Sequence, residues 1–370
     1  MKILITGASG FIAKNLALSL GIKPGCSIIT FGRTNSEEEL GKAIEACDFI
    51  YHLAGINRPS NDSEFSETNY GLTKRIAARI KASQRSIPIT FASSTQATMD
   101  NLYGRSKREG EIALQHLRSE VGNRVHILRL PNVFGKWSRP NYNSVVATFC
   151  HNIARSIPIE VHDADRKLSL IYIDDVVNKL ISLMDPTTEC HGAEDQVGPC
   201  HAITVGELAE QIKAFKNCRT SLITERVGSG LVRALYATYL THLEANDFSY
   251  PLTEHRDQRG CFVEFLKTSD SGQFSYFTAG PGITRGGHYH HTKTEKFLVV
   301  KGEAKFRFLH MATGERRELT VCSARSVVVE TIPGWAHDIT NIGADEMIVM
   351  LWANEIFDQM HPDTQAKALS

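Results

Sequence analysis

"MKILITGASGFIAKN" (residues 1–15) runs from an apolar stretch through a glycine-bearing turn into the start of a helical pattern. Gly7 and Gly10 fall between the predicted strand and the predicted helix. There the lack of a side chain lets the backbone approach a diphosphate, and the helix N-terminus favours its negative charge. Ser9, Phe11 and Ile12 complete the turn as candidate dinucleotide contacts, and Ala13, where a third glycine often stands, is small enough for helix and strand to touch. Two glycines also suit an ordinary strand-to-helix turn, so the residues downstream must decide between the two.

Downstream the chain alternates. "KILIT", "SIITF", "DFIYHLAG", "IPITFASS" and "VHILRLP" read as strands separated by helical patterns. That order predicts a parallel sheet covered by helices on both faces, an α/β doubly wound fold of the Rossmann type. Helical patterns persist through "SVVATFCHNIARS", "DDVVNKLISLMD", "TVGELAEQIKAFKN" and "GLVRALYATYLTHLE". The period then changes. From "FSYPLTEHRDQRGCFVEFLKT" onward, short alternating strands rich in Phe, Val and Thr are separated by Gly, Pro, Asp and Asn turns, which predicts an antiparallel β-barrel or jelly roll. The 370 residues suffice for two domains with separate cores, expected at 1–243 and 244–370.

Hydrophobic residues make up 42% and charged residues 22%, and 41 basic side chains balance 41 acidic ones, so no nucleic acid partner is expected. The apolar N-terminus lacks a basic flank and a cleavage site, and no run reaches the roughly 18 apolar residues that span a bilayer. A cytoplasmic protein without a membrane partner is the expectation. The eight cysteines are scattered, as where thiols stay reduced. "CHGAEDQVGPCH" pairs Cys190 and His191 with Cys200 and His201, but its gap fits no common zinc spacing, so packing is the expected role.

"SSTQATMDNLYGRSK" (93–107) comes directly after the fourth predicted strand. Tyr103 and Lys107 lie four apart and share one face of a helix. An ammonium beside a phenol favours the phenolate, so Tyr103 could exchange a proton with a carbonyl oxygen near neutral pH while Ser94 holds that oxygen. At the end of the second strand, "SIITFGRTN" places Arg33 where an NAD enzyme would carry an acid, which suits the 2′-phosphate of NADPH. A solvated surface arginine is the alternative.

"HLAG", "SS", "YGRSK" and "RLPNVFG" occur in the order found in the extended short-chain dehydrogenase/reductase family, which the chain resembles over about residues 1 to 240. The resemblance implies that Ser94, Tyr103 and Lys107 form the catalytic set. It implies that Lys107 also holds the nicotinamide ribose, that Leu53, Ala54 and Gly55 line the cofactor, and that Asn132 of "LPNV" helps to shape a sugar-nucleotide site. Many relatives carry an arginine six residues before the paired aspartates of "DRKLSLIYIDD". Here that position is Leu168, which leaves Arg166 and Lys167 to grip the substrate diphosphate. Dehydratases of the family carry acids directly after the catalytic serine or threonine. Thr95 and Gln96 stand there, so a reductase is expected.

The second half offers different chemistry in "GITRGGHYHHTKTEKFLVVKG" (282–302). His288 and His290, two apart on a strand, point the same way, and Glu295 can return from the next strand. His337 of "GWAHDITN" would complete a set suited to one divalent transition metal, with zinc the expected ion. His291 points to the opposite face and is not expected to ligate. The spacing of Gly282, His288, His290, Glu295 and Gly302 resembles the first cupin motif, and His337 with Asn341 the second. Upstream, "DQRGCFVEF" resembles the signature of cupin epimerases acting on 4-keto-6-deoxy sugar nucleotides, which implies that Arg259 and Glu264 bind the nucleotide sugar.

With the tail "FDQMHPDT", the whole chain resembles the CapF-type capsular polysaccharide enzymes. The resemblance implies C3 epimerisation of a UDP-linked 4-keto-6-deoxy-N-acetylhexosamine in the cupin, then NADPH-dependent C4 reduction in the first domain. Rival readings are a single-activity reductase with a cupin for binding or dimerisation, and a metal-dependent oxygenase fused to a dehydrogenase. A homodimer is expected because closed two-fold assemblies predominate.

Overall fold

A computed structural model of the chain describes residues 1–188 and 197–369. Its first part alternates strand and helix: β1 (Lys2–Thr6), α1 (Phe11–Gly21), β2 (Ser27–Phe31), α2 (Glu37–Ala46), β3 (Phe49–His52), α3 (Leu72–Ser83), β4 (Ile89–Ser94), α4 (Leu102–Val121) and β5 (Val125–Leu130). The five strands form one parallel sheet in the order β2-β1-β3-β4-β5. These are the five strands that the sequence predicts.

Both faces of the sheet are buried, because successive side chains of a strand point to opposite sides. Ile3 and Ile5 pack with Leu16 and Leu20 of α1, whereas Leu4 between them packs with Leu40 of α2, Ile76 of α3 and Leu114 of α4. The sheet is doubly wound. Strand order reverses between β1 and β3, where the chain has crossed from one side of β1 to the other, and a ligand crevice opens at the carboxyl ends of strands at such a point.

Beyond β5 come β6 (Asn132–Phe134), α5 (Val145–Ala154), β7 (Lys167–Tyr172), α6 (Ile173–Ser182), β8 (Cys200–Thr204), α7 (Val205–Ser221), β9 (Ile223–Thr224) and α8 (Gly230–Leu240). β6, β7 and β8 form a small sheet, and Val176 and Leu180 of α6 join α1 on one face of the main sheet.

The last part is all β: β10 (Glu254–Asp257), β11 (Gly260–Thr268), β12 (Gly272–Ala279), β13 (Thr284–Tyr289), β14 (Glu295–Lys301), β15 (Glu303–His310), β16 (Arg316–Cys322), β17 (Val328–Thr331), β18 (Trp335–Asn341), β19 (Met347–Ala353) and β20 (Gln365–Ala366). One antiparallel sheet runs β10-β11-β12-β19-β14-β17, with β9 added in parallel beside β11, and another runs β16-β15-β18-β13-β20. Phe277, Phe297 and Val349 of the first sheet share a core with Phe306, Val321 and Ile339 of the second. Truncating a fully buried ring such as Phe306 to Ala costs about 3–5 kcal/mol.

The chain separates into two compact units, Met1–Ile212 with Ser229–Leu243, and Lys213–Gly228 with Glu244–Ser370. This differs from a single cut after residue 243. The stretch Lys213–Gly228 belongs with the β unit because β9 adds itself to the edge of β11, a long-range pairing that its two residues do not announce in sequence.

Candidate active site and metal centre

Gly7 leaves β1 with φ at +70°, a conformation strained for any residue with a Cβ, and a Cβ there would stand 2.6 Å from Ala54 Cα. The ends of β1 and β3 therefore touch, and the crevice at the strand-order reversal is lined by Gly7 on one side and Leu53, Ala54 and Gly55 on the other. α1 starts at Phe11 with Gly10 as its N-cap, without a side-chain cap and without an acid in its first turn. Ser9 and Gly10 are exposed, and Phe11 and Ile12 are half-buried in that turn. Free amides at an uncapped helix start suit a phosphate. Arg33 lies exposed two residues beyond β2, with no side-chain partner among the described residues.

Ser94 ends β4, and Tyr103 and Lys107 lie one turn apart on α4. Asn101 caps α4 by accepting from the Gly104 amide at 2.7 Å. Gly104 is the hinge of the arrangement: a Cβ there would meet Gln96 O at 2.2 Å, so only glycine lets α4 close on the turn after β4. That approach sets the Tyr103 hydroxyl beside Ser94, whose hydroxyl favours the phenolate. Burial pushes the Tyr103 phenol up, and the neighbouring Ser94 only partly offsets it. The sequence-based expectation that Lys107 depresses this phenol is corrected here, because the buried Lys107 Nζ is turned to Ala92 O at 3.0 Å and over the Phe91 ring at 4.9 Å. Burial lowers the Lys107 ammonium to about 8 against the opposing charge of Glu111. A Cβ on Gly55 would stand 2.9 Å from Nζ, so the lysine lies against the same crevice wall as the glycines.

Sequence reasoning missed the support of this set. Glu111, 2% exposed, accepts from Ser93 Oγ at 2.5 Å and takes two bonds from Arg129 of β5 at 3.0 and 2.6 Å. It ties together the strand that ends in Ser94, the helix that carries Tyr103 and Lys107, and the strand that leads to Asn132. Its spacing four residues after Lys107 is the signal that could have found it. Asn69, buried before α3, bonds Ile56 N, Ile56 O and Ser106 Oγ, and has no comparable signal.

The substrate candidates are less gathered. Asn132 Nδ2 donates to Ser169 O at 3.3 Å, and Arg166 is exposed with its backbone amide on Asp163. Lys167 and Leu168 begin β7. Arg259 pairs doubly with Asp257 at 3.0 and 2.5 Å, while Glu264 pairs with Lys267 at 2.8 Å. No hydrogen bond or ion pair joins Arg259 to Glu264 among the described residues. Cys190 and His191 lie outside those residues, and Cys200 and His201 open β8.

In the β unit, ligand-capable atoms of His288, His290, Glu295 and His337 lie within 4.8 Å of one another. His288 on β13 faces His337 on β18, and Glu295 starts β14 in the other sheet, so the cluster bridges the two sheets. His291 is exposed outside it. His290 Nδ1 donates to the Asp363 carbonyl, which can only accept, so the neutral ring presents a lone pair at Nε2. That atom stands 3.2 Å from Glu295 Oε2, and His337 Nε2 approaches the same oxygen at 3.2 Å without hydrogen-bonding geometry. Both ring nitrogens of His337 are buried without a hydrogen bond. Burial raises the Glu295 carboxyl, whereas the Lys293 ammonium, 3.3 Å from Oε1, favours its charged form. Burial, with His337 adding to it, lowers His288 to about 4. Lone pairs converging on a carboxylate fit a cation at their centre.

Residues 3–192 match the NAD dependent epimerase/dehydratase family, and residues 255–365 match the polysaccharide biosynthesis C-terminal domain. The crystal structure of capsular polysaccharide assembling protein CapF from Staphylococcus aureus is 42% identical, with a TM-score of 0.93 and 100% of both chains covered. The chain belongs to the CapF-type capsular polysaccharide enzymes. The UDP-2-acetamido-2,6-beta-L-arabino-hexul-4-ose reductase of Pseudomonas aeruginosa is 53% identical, covering 99% of this chain and 98% of its own length. The UDP-glucuronic acid 4-epimerase of Bacillus cereus, solved with NAD, shares the fold of the first unit at 16% identity, with a TM-score of 0.57 over 65% of this chain and 98% of its own. No helix among the described residues is long and apolar enough to cross a membrane.

Proposed function

We propose that the chain converts a UDP-linked 4-keto-6-deoxy-N-acetylhexosamine in two steps, C3 epimerisation in the β unit and NADPH-dependent C4 reduction in the α/β unit, giving UDP-2-acetamido-2,6-dideoxy-L-talose. The observation that carries the reduction is the buried Ser94–Tyr103–Lys107 set beside the glycine-lined crevice. Reduced nicotinamide supplies the hydride when bound. Gly7, Gly10 and the α1 N-terminus would hold its diphosphate and Arg33 its 2′-phosphate. Ser94 orients the C4 carbonyl oxygen. Tyr103, kept protonated by burial, gives its proton to that oxygen as the C4 alcohol forms, and Lys107, lying against the crevice wall at Gly55, would hold the nicotinamide ribose.

For the epimerisation, the 4-keto group acidifies the C3 hydrogen because the resulting carbanion delocalises onto oxygen. The C3–H bond breaks, a proton leaves on one face, and one returns on the other. Arg259 and Glu264 would hold the nucleotide sugar, with Asn132 and Arg166 serving the same end in the reductase. The cluster of His288, His290, Glu295 and His337 would hold one divalent metal, zinc being the ion its nitrogen-rich donor set suits. Cytoplasmic location and a homodimer complete the proposal. The dimer rests on the predominance of closed two-fold assemblies.

The test is hydrogen exchange in the full chain. In deuterated water without NADPH, Lys107→Ala should place deuterium at C3 of the UDP-4-keto sugar, and Arg259→Ala should lose that exchange while still binding NADPH. No exchange in folded Lys107→Ala would leave a single-activity reductase, a reading that the name of the Pseudomonas relative favours by naming only a reductase.

A further inference from the structure

The tail after β19 plays no part in either proposed reaction, yet it returns to the metal-ligand strand with unusual completeness. β20 pairs with β13 at His288 and Tyr289, the two residues that precede the ligand His290. Lys367 N donates to Gly287 O at 2.7 Å, and Leu369 is buried at 3% exposure. The Asp363 carbonyl accepts from His290 Nδ1, with Thr364 Oγ1 at 3.5 Å from the same nitrogen. The Asp363 carboxylate accepts from three consecutive amides, His291 N at 2.8 Å, Thr292 N at 2.7 Å and Lys293 N at 2.8 Å, and from the Thr292 hydroxyl at 3.0 Å.

These contacts fall on the turn that separates His290 from Glu295. Three amides in succession would otherwise point to solvent and leave the turn free to sample other shapes. With the carboxylate at their focus, the turn has one favoured form. The carbonyl meanwhile fixes the tautomer and plane of the His290 ring, which is how a backbone acceptor behind a ligating imidazole raises metal affinity.

We infer that residues 363–369 act as a strap that orients the metal ligands, with Asp363 as its positioning residue through both its carbonyl and its carboxylate. The inference rests on the reading that His288, His290, Glu295 and His337 share one metal. Without the strap His290 can rotate and the turn can open, so the four donors meet only part of the time. Loss of such an orienting contact typically weakens metal binding by about 10–100-fold.

The experiment compares full-length wild type, Asp363→Ala and Asp363→Asn, each stripped of metal and titrated with zinc(II) against a chromophoric chelator. Cobalt(II) absorption spectra and thermal melts are recorded in parallel. Asp363→Ala should bind zinc about 10–100-fold more weakly and give an altered cobalt spectrum, while Asp363→Asn, which keeps one acceptor oxygen, should fall between it and wild type. NADPH affinity should not change in either. If Asp363→Ala does not fold, Asp363→Asn carries the measurement. Wild-type zinc affinity with an unaltered cobalt spectrum in the folded variant overturns the inference, even if its melting temperature drops, because that pattern belongs to a purely structural contact. Wild type that binds neither metal overturns the shared-metal reading itself.

Discussion

Tyr103, Lys107 and Glu111 come from three successive turns of one helix, whereas His288, His290, Glu295 and His337 come from three strands' worth of chain in two sheets, backed by Asp363, 73 residues beyond His290. The first arrangement is set by a local period and needs only that α4 close on β4, which Gly104 permits. The second exists only when both sheets are packed. A local site can lose its chemistry without loosening its fold. A distributed site couples its chemistry to the stability of the unit around it.

The sharpest way to break that contrast is Lys107→Ala. Removing the side chain that would hold the nicotinamide ribose should misplace the hydride donor and cut NADPH-dependent ketone reduction by about 10²-fold, measured as turnover of the UDP-4-keto sugar, with the melting temperature of the chain little changed. A large drop in melting temperature would show that the helix-borne site is as tied to its fold as the other. His337→Ala tests the opposite limb. A metal held at about 100 times its Kd stabilises its unit by about 2.7 kcal/mol. This variant should therefore lose metal by elemental analysis and unfold earlier in the β unit alone, with NADPH binding intact. A full metal complement would mean that the cluster is fortuitous.

Arg33→Ala sharpens the comparison at the rim of the crevice, where one residue should act by itself. Loss of one charged bond to a 2′-phosphate is worth about 2 kcal/mol, so the preference for NADPH over NADH should fall by about 30-fold in the ratio of kcat/KM values. Unchanged discrimination would make Arg33 an ordinary solvated arginine.

The same contrast decides how far each region was legible. The glycine turn, the five strands and the Tyr103–Lys107 spacing are short-range patterns, and the chain obeys them because each element's periodicity agrees with the face it buries. The gathering of His288, His290 and Glu295 was legible through alternation on β13 and the short return to Glu295, with His337 found by its motif. Asp363 was not, since no local period links it to a turn seventy residues earlier. The assignment of Lys213–Gly228 to the β unit escaped for that reason too. The direction of the Tyr103 shift was misjudged because spacing places a lysine on the same face but does not show where its ammonium points. Lys107 turned to Ala92 O instead.

Glu111→Gln carries the smallest expected effect and separates charge from scaffolding within the helix-borne site. Lys107 titrates at about 8 in the folded chain against 10.5 ordinarily, so the ammonium, and with it reduction, should fade as pH rises through about 8. Because the folded value is the lower one, the cost of burying the charge is fully present below pH 8 and is relieved as pH climbs toward 10.5. A fall in activity over that window is therefore not unfolding. The groups that face this ammonium are Glu111 on its own helix, Asn69 ahead of α3, and His52 at the end of β3, whose buried ring is pushed down to about 3 and stays neutral throughout. Arg129 is linked to the ammonium through Glu111. Of these, Glu111 alone brings a negative charge at neutral pH. Replacing it by the isosteric amide removes that charge while leaving an acceptor for Arg129 and Ser93. The alkaline limb of kcat/KM, which reports the free enzyme, should then move down by about one pH unit. A limb that stays at its wild-type position would reduce Glu111 to a brace between β4, α4 and β5.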